Sequence, residues 1–168
     1  MKKLFLFVSV TTVMGHLYGV PNIGQNNGFG LGIVLGLPAG LSARTWQPNW
    51  SWDLVVGGYK EDLGIYRVES FLVHGDLIRQ KAIVERQLFF YYGPGLGFAK
   101  GTAFGFFGHE VGSGVGIGPR FKIGLDYFPG ENWNLFIEGA PSLYFGDFDG
   151  DRIMYLGENG IGIRYVFR

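Results

Sequence analysis

His74 and Asp76 stand two residues apart in Val73-His74-Gly75-Asp76. In an extended strand that spacing puts both side chains on one face. A histidine beside a carboxylate is the pair that holds a general base in place in hydrolases, and Ser42 or Ser142 would have to supply the nucleophile. No hydrolase motif surrounds either serine, so the pair reads more simply as a hydrogen-bonded couple inside the fold. A second candidate is Asp147-Phe148-Asp149-Gly150-Asp151, which begins like a calcium loop. The full pattern needs its glycine one place later and a closing glutamate, whereas Glu158 follows only at a distance. A solvated acidic turn is expected there, with weak divalent-ion binding the most it would support. His109 and Glu110 fall in a Gly- and Phe-rich stretch and read as solvated.

The charged residues acquire meaning from the elements that must carry them. From Val115 to Tyr127, the residues Val115, Ile117, Phe121, Ile123, Leu125 and Tyr127 share one parity, with Pro119 among them. Gly116, Gly118, Arg120, Lys122, Gly124 and Asp126 take the other. A period of two is a strand whose faces meet different surroundings. One face is apolar over the roughly ten residues a tilted strand needs to cross a bilayer. The other carries glycine and charge, which a packed apolar core would reject. Apolar outside and polar inside, repeated along a chain, is the pattern of a transmembrane β-barrel.

Composition agrees. The chain has 168 residues, 47% of them hydrophobic and 17% aromatic, with 30 Gly, 7 Pro and no Cys. Beyond the N-terminus no apolar run reaches the length of a membrane helix. So much glycine and proline argues against a helical domain, and the aromatic and β-branched content argues against disorder. One all-β unit remains. Residues 1–19 read as a secretory signal peptide, with Lys2 and Lys3 before the apolar run Leu4 to Met14 and cleavage after Gly15 or Gly19. Without cysteine, neither a lipoprotein anchor nor a disulfide can form. Removing residues 1–19 leaves 12 Lys+Arg against 14 Asp+Glu, a net charge of −2. That balance gives no argument for a nucleic-acid partner, which wants a basic face, and none is expected.

Residues 20–27 read as a polar periplasmic lead-in, and residues 28–168 as the barrel. The 149 residues from Val20 onward divide into eight strand-and-turn units of about 19 residues. The expected strands are Gly28 to Leu37, Leu41 to Trp46, Ser51 to Tyr59, a fourth within Tyr66 to Ile78, Leu88 to Phe98, Val115 to Tyr127, a seventh through Leu135 to Phe145, and Tyr155 to Phe167. The glycines of the first strand superficially suggest a nucleotide fingerprint. They recur at period two and end in Pro38-Ala39-Gly40 rather than opening a helix, so they instead leave room for large inward side chains. Pro119 and Pro141 each remove a ladder hydrogen bond, which predicts bulges or strand ends.

With both ends in the periplasm, the longest connection, Lys100 to Gly112, faces outside, as does the acidic loop Gly146 to Arg152. Trp46, Trp50, Trp52 and Trp133 then gather near periplasmic turns, as an aromatic girdle would. The inward parity collects Arg44, Asp53, His74, Asp76, Arg120, Lys122, Asp126, Glu138, Glu158 and Arg164. Eight strands leave an interior only wide enough for side chains. Unpaired charges there cost several kcal/mol each, so an ion-pair network plugging the lumen is expected.

Four segments now bear on kinship: Gly30-Leu31-Gly32-Ile33-Val34-Leu35-Gly36-Leu37-Pro38-Ala39-Gly40-Leu41-Ser42, Val73-His74-Gly75-Asp76, Tyr91-Tyr92-Gly93-Pro94-Gly95, and Gly160-Ile161-Gly162-Ile163-Arg164-Tyr165-Val166-Phe167. With them the chain resembles the small eight-stranded outer-membrane barrels of the OmpA transmembrane-domain and OmpX kind. More narrowly it looks like a group of uncharacterised bacterial outer-membrane barrels. The resemblance implies an eight-stranded antiparallel up-and-down barrel in the bacterial outer membrane. It implies contact with outer-membrane lipid and lipopolysaccharide, and with the barrel insertion machinery. It carries over no catalytic residue, cofactor or metal. Barrels of this kind usually end on an aromatic residue, whereas here Phe167 is penultimate and Arg168 follows.

The expectation is therefore an outer-membrane protein of structural or surface-interaction type, without catalytic chemistry, cofactor or metal. Any surface ligand would bind through loops 100–112 and 146–152. Three alternatives stand beside it: a lipid A-modifying enzyme, a narrow pore, and a soluble lipocalin-like carrier with its apolar parity inside.

Overall fold

The computed structural model describes residues 28–47, 50–62, 67–84, 87–104, 110–148 and 151–167. The expected signal peptide (residues 1–19) and lead-in (residues 20–27) lie outside the described residues, as do His109, Asp149 and Arg168. Eight strands follow in order: β1 (Gly28–Leu37), β2 (Ala39–Trp46), β3 (Ser51–Asp62), β4 (Arg67–Val84), β5 (Leu88–Phe104), β6 (Glu110–Tyr127), β7 (Trp133–Phe148) and β8 (Asp151–Phe167). Each pairs antiparallel with its neighbour, and β8 closes on β1. Among the described residues there is no helix.

The register reveals the tilt. Ile33 opposes Leu41, and the same rung continues through Val56, Val73, Phe98, Ile117 and Phe145 to Ile153 on β8. Ile33 also pairs directly with Ile163 on β8. The rung thus returns displaced by about ten residues, the stagger that tilts the strands of a closed barrel. Every residue on it is apolar and outward, from Leu41 at 68% exposure to half-buried Val56 and Val73. The apolar parity is therefore an outside surface, as the alternation in β6 predicts, and the soluble carrier with reversed faces is excluded by this geometry.

Several strands run further than the turn signals suggest. β4 continues past Ile78 to Val84, because Arg79 to Val84 pair with Leu88 to Tyr92. β5 and β6 extend into the expected Lys100–Gly112 loop, with Gly101 opposite Gly114 and Thr102 opposite Ser113. β7 and β8 likewise take in Asp147 and Asp151 from the expected acidic loop. Gly and Asp weaken a strand only through local propensity, and a hairpin already in register overrides that penalty by continuing its ladder. The prolines make neither bulge nor strand end. β6 and β7 keep one register across Pro119 and Pro141, with Ile117 on Phe145, Arg120 on Ser142 and Ile123 on Gly139. Each ring points its missing N–H toward the β6–β7 seam, while Pro119 still pairs with Leu96 and Pro141 with Gly157 on the other side.

The interior is stacked in layers. At the rim holding the turns after β2, β4 and β6, Trp46, Phe89, Phe128 and Val166 pack together. Phe128 meets Trp46 and Phe89 edge-on, at centroid distances of 5.9 and 5.6 Å. Trp46 is thus a correction to the expected girdle. It shares parity with Ser42 and Arg44, is only 1% exposed, and fills the space left by Gly30, where a Cβ would stand 2.7 Å from the indole. Proximity to a turn does not choose a face; parity does. Trp52 and Trp133 do lie on the outer surface, and Trp50 is partly buried under the Arg79 guanidinium, 4.1 Å from its ring. At the opposite end Leu72, Ala99 and Tyr144 form a second apolar layer. The charges lie between.

Candidate functional site

β2, β3, β4, β6, β7 and β8 deliver the ten sequence-selected residues into the barrel interior. Arg44, Asp53, His74, Asp76, Arg120, Lys122, Asp126, Glu158 and Arg164 are buried, and the Glu138 side chain is 9% exposed. Asp53 is the hub. Arg44, its cross-strand partner, donates to it, as do Lys122 Nζ at 3.0 Å and Arg164 Nη2 at 3.3 Å. The register places Asp53 directly opposite Asp76, a like-charge pair that would repel in isolation. Lys122 Nζ resolves it by lying 3.0 Å from a carboxylate oxygen of each.

Arg44 also donates to Asp126 at 2.6 Å, and Asn134 donates to the same carboxylate at 3.1 Å. Arg164 spreads its donors over Ser42 (2.8 Å), Asn134 (3.1 Å) and Asp53. Glu138 accepts from Lys122 at 3.2 Å and from the Tyr91 hydroxyl at 2.8 Å. Aromatic faces cover the guanidinium planes: Arg44 lies 4.1 Å from the Tyr91 centroid and Arg164 3.6 Å from that of Phe136. Inward glycines make this packing sterically feasible. A Cβ on Gly124 would meet the Tyr91 ring at 2.4 Å, and one on Gly162 would meet Phe136 at 2.2 Å.

A second cluster lies toward the other rim. Glu158 accepts from Tyr144 at 2.6 Å and pairs with Arg120 at 2.9 Å, and His74 Nε2 stands 3.3 Å from it. Arg120 reaches back to Asp76 at 3.5 Å, which links the two clusters. Arg120 Nε and Nη1 and Glu158 Oε2 lack well-aligned hydrogen bonds. Beside them His74, Arg120, Glu138 and Glu158 line a cavity of about 10 Å³, room for one water bridging such groups.

The hydrolase arrangement is not assembled. His74 faces Glu158 and the Tyr144 hydroxyl, while Asp76 turns to Lys122 and Arg120. Ser42 Oγ accepts from Arg164, and Ser142 Oγ donates to the Ala140 carbonyl. Among the described residues no three His, Asp or Glu side chains are grouped to hold a metal ion. Asp147 and Asp151 stand on paired strands, with Asp151 opposite Phe148. What the arrangement does chemically is neutralise and block: four Lys and Arg side chains interlock with five carboxylates across the full width of the lumen.

Sequence reasoning missed several partners that hold the network. Tyr91 and Tyr144 share the inward parity with Gly93 and Ser142, so their position was legible although their role was not. Gln80, which also donates to Asp126, has the parity of Asp76 and Ile78 and lies on the part of β4 beyond the expected strand limit at Ile78.

No protein-family model matches the chain, and no curated protein matches it. Solved structures do. Neisserial surface protein A aligns with a TM-score of 0.61 at 14% identity, over 84% of this chain and 94% of that one. The N-terminal β-barrel domain of Pseudomonas aeruginosa OprF aligns at 0.56 and 17% identity, over 84% and 96%. Ail, the attachment invasion locus protein of Yersinia pestis, aligns at 0.51 and 16% identity, over 84% and 95%. The chain therefore has the fold of the small eight-stranded outer-membrane barrels.

Proposed function

We propose that the protein is a bacterial outer-membrane barrel of structural or surface-interaction type, exported with a cleaved signal peptide and without catalytic chemistry. The observation that carries this reading is the inversion of polarity across one wall. Apolar side chains cover the outside of the closed barrel, and paired charges fill its inside. The closed ladder satisfies the backbone without water, which hydrocarbon demands. The rim with short turns after β2, β4 and β6 then faces the periplasm and the opposite rim faces outward. The surface-interaction part draws on the solved structures that share the fold, two of which are named as a surface protein and as an attachment invasion locus protein. Such a contact would form at the outward rim, toward which the paired ends of β5 and β6 and of β7 and β8 extend.

Gel mobility before and after boiling, on outer membranes from cells making the protein, tests the reading. A band that runs faster unboiled and sediments with the outer membrane is the expected result. A heat-insensitive protein in the soluble fraction would overturn it. Lipid A mass spectra from cells with and without the protein test the catalytic clause, and identical spectra are expected.

A further inference from the structure

The barrel wall is not equally tall all round. β1 and β2 are joined at Pro38 by a turn that lies low in the wall. β8 is paired to β1 only as far as Asn159, and β3 to β2 only as far as Gly58. Beyond those rungs, Asp151 to Glu158 and Tyr59 to Asp62 have a partner strand on one side only, and a gap opens between them. Turns that reach water carry polar residues. This one reads Val34-Leu35-Gly36-Leu37-Pro38-Ala39-Gly40-Leu41, without a polar side chain, and so belongs to the apolar belt. Outward on the β8 lip are Tyr155 and Ile153, exposed at 69% and 58%, with the exposed Arg152 following one residue beyond them.

Behind the gap lies a cavity of about 230 Å³ in the loop-side third of the lumen. Val68, Leu72, Ala99, Met154, Leu156 and Tyr59 give it an apolar lining, two of them contributed by β8 and one by β3, the strands that flank the gap. Among the described lining residues the charged one, Lys100, has outward parity and is exposed. Leu72 and Ala99 line it and pack against Tyr144, whose hydroxyl bonds to Glu158. An apolar space of this size holds water poorly, since water needs polar partners. Left empty, its lining forfeits dispersion contacts. A hydrocarbon chain entering from the belt just above the turn, past Leu37, Ala39 and Tyr155, would restore them.

We propose that this cavity binds one hydrocarbon chain of an outer-leaflet lipid, admitted sideways over the low β1–β2 turn. The proposal rests on the membrane-spanning reading above, and its test separates the two. The full chain is folded into phosphatidylcholine vesicles containing a trace of the same lipid with a diazirine at the end of one acyl chain. Irradiation and peptide mapping then locate the adducts. Adducts on outward Leu35, Leu41 and Ile153 report the belt. Adducts on inward Tyr59, Met154 and Leu156 report the cavity, and both sets are expected.

Gly101→Leu fills the cavity. The glycine has ordinary backbone geometry, and an added Cβ would meet the Ser70 hydroxyl at 3.3 Å, so the change is tolerable in space. It should abolish the inward adducts and keep those on the belt. Leu156→Trp makes the same comparison if Gly101→Leu does not reach the fast-migrating folded form. Belt adducts alone in the unaltered protein, or inward adducts that survive both filling changes, would overturn the proposal. No adducts on either face would overturn the membrane-spanning reading instead.

Discussion

The middle of the lumen and its loop-side third are built on the same inward parity, yet one is ionic and close-packed while the other is an apolar-lined cavity. The difference lies in whether partners can converge. In the middle, Arg44, Asp53, Lys122, Asp126, Glu138 and Arg164 come from β2, β3, β6, β7 and β8 and meet within hydrogen-bond reach, so each charge is compensated. Toward the loop side the wall drops at β1 and β2, and the inward positions of β5 and β6 are the small Ala99, Gly101, Gly112 and Gly114. A charge placed there would find few opposite charges to meet, and the chain places apolar residues instead. Tyr144 is the boundary between the two regions: its ring packs with Leu72 and Ala99, and its hydroxyl bonds to Glu158.

Breaking the ionic middle should have the largest effect. Asp53→Ala removes the acceptor shared by Arg44, Lys122 and Arg164 and leaves four buried cations among four carboxylates with the hub missing, at a cost of about 3–5 kcal/mol. Urea unfolding in lipid vesicles, followed by gel mobility, would measure it. A loss under about 1 kcal/mol would mean that the network is not cooperative.

Next in size is Ile123→Arg, expected to cost about 2–4 kcal/mol if this outward residue sits at the bilayer midplane. The contrast with Lys122, one residue away, isolates the effect of the face, since the desolvation of that inward cation is offset by three carboxylates. A neutral result in lipid would count against an apolar surroundings for the outer wall.

Gly97→Ala addresses the boundary itself. The new Cβ would stand 2.5 Å from the Tyr144 hydroxyl and 2.9 Å from its ring, so the tyrosine must move. Overpacking of this kind costs about 1–3 kcal/mol. The tyrosine's departure from Glu158 should appear as a changed ring resonance in NMR spectra of the folded protein in nanodiscs.

The smallest effect belongs to Lys60→Ala. Lys60 and Glu69 pair at 3.5 Å on the outer surface, with side chains 57% and 41% exposed, and such pairs contribute under about 1 kcal/mol. Unfolding midpoints in low and high salt should both match the parent protein closely.

Alternation is a local property, and it was legible in the chain. Period-two patterning places Ile117, Phe121 and Ile123 on one face and Arg120, Lys122 and Asp126 on the other, because successive side chains in a strand must point oppositely. Eight such segments with short turns define the barrel class, and the cross-strand glycines mark where large inward side chains fit. Three features depended on the closed structure. Strand ends moved, since the pairing of Gly101 with Gly114 and of Arg79 with Tyr92 is a property of two strands in register and neither alone signals it. Partners within the network were unreadable, because His74 meeting Glu158 rather than Asp76 depends on how far the rung climbs around the ring. Trp46 turned inward because its side follows the register of β2, while the turn beside it is silent about faces. Charge type and face are written residue by residue, whereas which charge meets which is set by closure, which brings strands distant in sequence to one level.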